Sequence, residues 1–339
     1  MALPTINLRV SSINLTFGVD SPKDIFRKVD GTLRTTTELS NIVTGTLSGY
    51  CPGSTQWDKL TNLRNDRNLS YFKGYYDDSA CNLWDIECYA NGFDQTFNLG
   101  LTGYWDLDIS FDGRKLYALR YSVLRQYSLG GVNDISSPSL DYTLDLSNET
   151  TSARGLYITK DGGKAFVLTL YGYLYQYNLS TPYELSTASY YTYTELFRYN
   201  SNLTSLFGIV FSDDGLNAYI TKEYSNLTPN IYEVTLGSPF LASAVNGVNK
   251  ISMPTSSQIQ RGVRFNPDGS SIYRNHTDTG FIHQYFLNTN FDPSSHDGTY
   301  KQLSPFSGTD AFCFSGNGYY LFTLEEEDMR ISRVKHNLI

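Results

Sequence analysis

Residues 154–188, RGLYITKDGGKAFVLTLYGYLYQYNLSTPYELSTA, place short apolar runs between polar breaks. Gly155–Ile158 is a short apolar strand that runs into the turn pair Asp161-Gly162. Lys164–Leu168 reads as a second strand, and Tyr173–Leu179 as a third that alternates aromatic or apolar with polar residues. Asp-Gly between two such runs signals a hairpin, because glycine takes positive φ at no steric cost.

The phrase recurs along the chain. Its turns are Asp112-Gly113, Asp161-Gly162, Asp214-Gly215, Asp268-Gly269 and Asn317-Gly318, with 49, 53, 54 and 49 residues between successive glycines. The strand before each turn reads LDIS, LYIT, IVF, VRF and FCF, and the strand after it KLYAL, KAFVL, NAYIT, SIYRN and YLFTL. The third strand reads LRQYSL, LYQYNL, IYEVTL, IHQYFL and ISRVKH. Three aligned features at one period mark an array of supersecondary units, a propeller or a solenoid. The fifth repeat stops just after its third strand, whereas Phe93–Leu101 (FDQTFNLGL) precedes the first and resembles outer strands such as Asp141–Leu146. It is expected to complete the last blade and tie the chain ends together, since a free edge strand invites unwanted pairing. The pattern therefore predicts an all-β, five-bladed β-propeller over 93–339, with a solenoid as the alternative.

Residues 1–78 read differently. Thr5–Gly18 alternates, Pro22–Lys28 opens a short helix, 30–56 is rich in Thr, Ser and Gly, and 57–69 holds one or two helical turns. So few apolar residues bury too little surface to offset chain entropy, so this arm is expected to gain order by docking onto something. Residues 79–92 are expected to be a linker.

Composition agrees with a β protein: 28 Tyr and 19 Phe suit a pleated, half-buried surface. The net charge of −8 argues against a nucleic-acid partner bound through phosphates. No apolar run approaches 20 residues, so no membrane span is expected. The opening MALPTINLRV has no basic or continuous apolar region, so no secretory signal is expected, and the four scattered cysteines are expected to be free thiols in a reducing compartment.

Candidate chemistry is sparse. The turn Asp residues suggest a ring of metal ligands, but Asp at such turns ordinarily bonds its own backbone. His276 and His283 flank a hairpin, where the two could approach each other, and are expected as unpaired side chains at a surface or edge, outside any paired metal spacing. Glu325-Glu326-Glu327-Asp328 is expected to be a solvated loop or, more sharply, a cation or partner site. Cys313 reads as a small buried residue. Arg154 and Arg261 occupy matching places, just before the glycine that starts repeats two and four. They are expected near the central channel, bridging blades or clamping a ligand. Tyr190, Tyr191 and Tyr193 lie on an outer strand, where Tyr serves an interface, a packed face or a sugar-binding surface. No nucleophile elbow, P-loop or dinucleotide fingerprint occurs, so no catalytic residue, metal ligand or cofactor is assigned.

Two resemblances add to this reading. Ser11-Ser12-Ile13-Asn14 leading to Phe17-Gly18, a Ser/Thr-rich middle and the closing Leu69-Ser70-Tyr71-Phe72-Lys73-Gly74-Tyr75 resemble the N-terminal module of bacteriophage virion proteins. The middle, with Cys51-Pro52, departs from that pattern. Tyr175–Ala188 (YQYNLSTPYELSTA) is similar to a repeat of propeller-like proteins from phages and environmental bacteria. The resemblances imply a non-enzymatic tail- or fibre-associated virion protein, assembled in the host cytoplasm. They assign Ile13, Phe17, Gly18, Phe72, Lys73, Gly74 and Tyr75 to anchoring. The partners implied are other virion proteins (portal, tail, fibre or capsid), in multiple symmetric copies. A receptor- or glycan-binding propeller facing the host surface is the alternative, and a calcium-dependent propeller hydrolase or lactonase the lesser one.

Overall fold

A computed structural model describes residues 8–10, 13–15, 84–89, 92–222, 230–253, 261–276, 280–303, 309–325 and 327–336. The chain divides into two compact units, Met1–Asn82 and Leu83–Ile339. In the first, β1 (Leu8–Val10) and β2 (Ile13–Leu15) pair antiparallel, with Val10 opposite Ile13. Of the anchoring residues only the backbone of Ile13 falls within the described set. Phe17, Gly18, Phe72, Lys73, Gly74 and Tyr75, and the helical turns expected at Pro22–Lys28 and 57–69, lie outside it.

The second unit is a five-bladed β-propeller made of five four-stranded antiparallel sheets. Blade 1 is β4 (Tyr104–Ile109), β5 (Lys115–Arg120), β6 (Val123–Ser128) and β7 (Ser139–Asp145), and blade 2 is β8 (Ala153–Ile158), β9 (Lys164–Thr169), β10 (Tyr173–Leu179) and β11 (Ala188–Glu195). Blade 3 comprises β12 (Leu206–Phe211), β13 (Asn217–Lys222), β14 (Asn230–Leu236) and β15 (Val245–Ser252). Blade 4 comprises β16 (Val263–Phe265), β17 (Ser271–His276), β18 (Phe281–Leu287) and β19 (His296–Leu303). Blade 5 takes β20 (Thr309–Phe314), β21 (Tyr320–Glu325) and β22 (Arg330–Lys335) from the C-terminal repeat and β3 (Gln95–Asn98) from ahead of blade 1. The closure predicted for Phe93–Leu101 is thus made by Gln95–Asn98 within it, with Arg330 opposite Asn98 and Arg333 opposite Gln95.

Each Asp-Gly or Asn-Gly turn works as its sequence requires. The glycines have φ of 69–74°, and the Asp or Asn accepts from a neighbouring hydroxyl and from backbone N–H groups. Asp112 receives the Ser110 hydroxyl at 2.6 Å and Asp214 that of Ser212 at 2.6 Å. Over each turn glycine lies one residue that itself has positive φ: Asn133, Tyr183, Phe240, Phe291 and Trp84 in blades 1 to 5. A Cβ on the turn glycine would meet that residue's side chain within 2.3–2.7 Å, so only glycine fits beneath it.

These five residues are also where blades join. The carbonyl of each accepts a hydrogen bond from the preceding blade: Tyr183 from Tyr117 at 2.8 Å, Phe291 from Tyr219, and Trp84 from Tyr273. Blades 2 and 5 carry Phe166 and Phe322 at the donor position. There Lys164 Nζ reaches the Phe240 carbonyl at 2.9 Å, and Arg333 Nη1 reaches that of Asn133 at 2.5 Å. A second bond runs two residues further on. Gln126, Gln176 and Gln284 accept from the backbone N–H of Leu185, Ala242 and Ile86 at 2.6, 2.9 and 2.9 Å. Pro293 occupies that place in blade 4 and has no N–H to give, and Glu233 stands where the facing glutamine would be.

The clasp redraws the start of the propeller. Trp84–Tyr89, within the segment expected as a linker, forms blade 5's copy of the turn that connects third and outer strands. Ile86 and Tyr89 are buried there, and the Tyr89 hydroxyl donates to the Gly318 carbonyl at 2.6 Å. Replacing Tyr273 with Phe, or Lys164 with Met, is expected to cost about 1 kcal/mol in urea unfolding, the worth of one neutral or partly exposed bond. Losses below the error of the melt at both sites would show that the clasps do not bear on stability.

The structure corrects three further expectations. Cys88 is disulfide-bonded and so is not the free thiol expected; Cys313 is free and buried. His276 and His283 are buried rather than at a surface, with ring centroids 4.1 Å apart, and desolvation pushes their pKa values down to about 3 and 4. Glu325 is not a solvated charge: it is buried at the end of β21, 2.6 Å from Arg330, while Glu327 and Asp328 are exposed.

Candidate functional site

The first strand of each blade lines the ring's axis, and the turn glycine sets a common register. Eight residues before it stand Trp105, Arg154, Phe207, Arg261 and Asp310, one from each blade. Trp105, Arg154, Phe207 and Asp310 fall where the pairing of first and second strands shifts register. A bulge re-aims a side chain that a regular strand would direct elsewhere. The result is a stacked cluster at the mouth away from the turns. The Arg154 guanidinium lies 4.0 Å from the Trp105 ring and 6.0 Å from Phe207, and Arg261 lies 5.0 and 5.2 Å from the same two rings. Arg261 also pairs with Asp310. Both arginines expected near the channel therefore touch side chains of other blades, with planar guanidinium groups on aromatic faces.

One step inward the axis is pinched. A Cβ on Gly155 would stand 2.2 Å from the Phe207 carbonyl, and one on Gly208 2.2 Å from that of Arg261, so adjacent first strands meet backbone to backbone. Blade 1 alone carries a charge at this level. Asp106 is buried, and its carboxylate accepts from Leu107 N at 2.9 Å and from Leu156 N of blade 2 at 2.8 Å. Arg264 of blade 4 reaches across to it. Its Nη2 lies 3.2 Å from Asp106 and 2.8 Å from the Leu107 carbonyl, while Nη1 donates to Val263 and Ile209 carbonyls. One guanidinium thus ties blades 1, 3 and 4 at the axis. Desolvation outweighs the attraction of Arg264 and lifts the Asp106 pKa to about 6.

Five residues before the turn glycine comes a third ring: Asp108, Tyr157, Val210, Arg264 and Cys313. All five line a cavity of about 110 Å³ that opens at the turn end. Asp108 accepts from Ile109 N at 2.9 Å and from Ile158 N at 2.8 Å, and desolvation raises its pKa above the usual carboxylate range. Burial raises the Cys313 thiol pKa as well. The turn carboxylates considered as a ring of metal ligands instead accept hydrogen bonds within their own turns, as Asp161 does from the Thr159 hydroxyl at 2.6 Å.

The tyrosines of β11 form a separate surface. Tyr190, Tyr191 and Tyr193 are 46, 55 and 43% exposed. Strict alternation would put Tyr190 and Tyr193 on opposite faces. A register shift between Gln176 and Tyr177 instead sets Tyr190 opposite Tyr177 and Tyr193 opposite Tyr175, so both join one aromatic stripe. Tyr193 stacks on Tyr175 at 5.6 Å, and Tyr190 meets Tyr177 edge-on at 6.0 Å.

Arg154, Arg261 and the tyrosines stand out in the sequence, whereas Asp106, Asp108 and Arg264 do not. The usable signal was a charge, at a fixed offset from the turn glycine, where other repeats carry glycine or an apolar side chain.

No protein-family model matches the sequence, and no curated protein matches it. Among solved structures the chain is similar to a functionally unknown protein from Desulfotomaculum acetoxidans, at 13% identity and a TM-score of 0.39, over 66% of this chain and 62% of that one. The chain thus spans less than two thirds of that protein's length. It is also similar to the β-propeller domain of Cps50 (Swd1) from Myceliophteria thermophila, at 10% identity and a TM-score of 0.43, over 72% of this chain and 99% of the domain.

Proposed function

We propose that the chain is a non-enzymatic structural component of a tailed bacteriophage virion, tail- or fibre-associated, in which residues 1–78 dock onto the particle and the propeller forms a rigid exposed platform. The observation that carries this reading is the division at Asn82/Leu83. The stretch with phage-type opening and closing motifs falls in a unit separate from the propeller. The clasps support the platform role, because they commit the polar groups of the blade seams to holding the ring rigid, and a closed ring leaves only short edges. Residues 1–82 fused to a fluorescent protein are expected to enter particles during infection and to co-purify with them, with neighbouring virion proteins as partners. Fusions that stay wholly in the soluble fraction would overturn the anchoring role.

A second reading is favoured by the tyrosine stripe of blade 2. Exposed rings with polar tips suit a host-surface glycan or a protein partner. Tyr190→Ala with Tyr193→Ala is expected to reduce adsorption to host cells about tenfold, the loss of two stacking contacts each worth about 0.5–1.5 kcal/mol. Unchanged adsorption would sink this reading and leave the platform role untouched.

A further inference from the structure

We propose that the axial cavity at the turn end of the ring is a binding site for a small organic cation, an amine or quaternary ammonium group, with Asp108 as its counter-ion. This inference is independent of the virion reading.

The argument begins with charge. The two inner rings of axial residues hold two carboxylates, Asp106 and Asp108, and one guanidinium, Arg264. Arg264 is engaged with Asp106 and with the carbonyls of Leu107, Ile209 and Val263. Among the described residues, the hydrogen bonds of Asp108 come from backbone N–H groups alone. Lys160, at the cavity rim, is paired with Asp213 at 2.5 Å. The two carboxylates thus share one guanidinium, which attracts both but hydrogen-bonds only Asp106, so one negative charge at the floor is left over; Asp108 is the carboxylate that keeps open surface, being half-buried where Asp106 is fully buried.

The walls select the kind of cation. They are aromatic pairs, one joining blades 2 and 3 (Tyr157 with Phe211 at 5.0 Å), one within blade 4 (Phe265 with Phe291 at 5.3 Å) and one within blade 5 (Trp84 with Phe314 at 5.3 Å). Ring faces carry the negative end of the aromatic quadrupole, so they attract a cation that has little hydration to lose. A metal ion would ask for several oxygen ligands. A volume of about 110 Å³ holds a few waters' worth of material, the size of one alkylated ammonium head. A carboxylate at the floor and rings at the sides form a cage for such a group.

The test uses the full chain and tetramethylammonium chloride as the probe, with potassium chloride at equal ionic strength and tert-butanol as the neutral isostere. Calorimetry and thermal melting are expected to show saturable binding of tetramethylammonium, and neither control is expected to reproduce it. Asp108→Asn keeps the side-chain volume and is expected to weaken binding about tenfold or more while still melting cooperatively. Phe111→Ala removes an exposed rim ring and is expected to weaken binding several-fold; it supplies the answer if Asp108→Asn does not fold. Equal binding of tert-butanol and tetramethylammonium would reduce the site to an apolar hole and overturn the proposal. So would a tetramethylammonium response that Asp108→Asn, or Phe111→Ala in its place, leaves unchanged, or no saturable response at all.

Discussion

A chain shortened to begin at Gly103 is expected to lose cooperative folding. The deletion removes β3 and with it the ladder to β22, the bidentate Arg333–Asp94 pair at 2.6 and 3.0 Å, and the bond from Leu99 N to the Met329 carbonyl at 2.7 Å. It also removes Trp84–Tyr89, so that Tyr273 and Gln284 of blade 4 lose the carbonyl and the N–H they hold. The buried side chains of Ile86, Tyr89 and Leu99 go as well. At about 1.5–3 kcal/mol for each large apolar side chain, the burial term alone rivals the roughly 5–15 kcal/mol that stabilises a typical domain. A chain beginning at Leu83 retains all of these contacts and isolates the effect of removing the N-terminal unit. Circular dichroism melts of the two shortened chains decide the matter. If the one beginning at Gly103 melts as cooperatively and as late as the one beginning at Leu83, the ring closes without its N-terminal strand. Adding a peptide of residues 83–101 is expected to restore the lost transition.

Replacing Arg264 with Met is expected to cost about 3–5 kcal/mol at neutral pH, the range for breaking a buried ion pair from one side. The variant leaves the buried Asp106 and the half-buried Asp108 without the guanidinium they share, and the carbonyls of Leu107, Ile209 and Val263 without their donor. The loss carries a pH signature. Asp106 binds its proton more tightly in the fold, where its pKa stands at about 6, than at the ordinary value of 3.8. Its contribution to stability is therefore fully present below about pH 4 and is lost as the pH rises through 6. Without Arg264 the attraction that restrains this rise is gone, so the folded carboxyl holds its proton to higher pH still. The penalty of Arg264→Met is then smaller at pH 5 than at pH 8. Urea unfolding of both proteins at the two pH values reads the difference. A pH-independent loss below about 1 kcal/mol would mean that water screens the pair as it does at a surface.

Much of this was written locally. Asp161-Gly162 and its four counterparts were legible because a two-residue turn needs positive φ at one defined place, which a dipeptide can announce by itself. The alternation of Tyr173–Leu179 announced a strand for the same reason. The closing strand was legible from a mismatch of counts, three strands at the C-terminus and one left over near the N-terminus. Trp84–Tyr89 escaped because its role depends on a contact with Tyr273 and Gln284, nearly 200 positions away, and its sequence NLWDIECY shares little with STPYELSTA. The pairing of Cys88 escaped for a similar reason, since scattered cysteines do not reveal which are brought together.

The axial site shows the same division. Legible in the chain alone are five hairpin units of one period, a glycine at each turn, and the shared repeat position of Arg154 and Arg261. These are properties of periodicity and backbone conformation, which act over a few residues. The closed ring is what gathers Asp108, Tyr157, Val210, Arg264 and Cys313 around one cavity and lets bulges turn Trp105 and Arg154 onto one another. It also decided that Arg264 on blade 4 neutralises Asp106 on blade 1. Ring closure brings together residues spread over some 200 positions of chain, and desolvation at the axis then fixes which charges count.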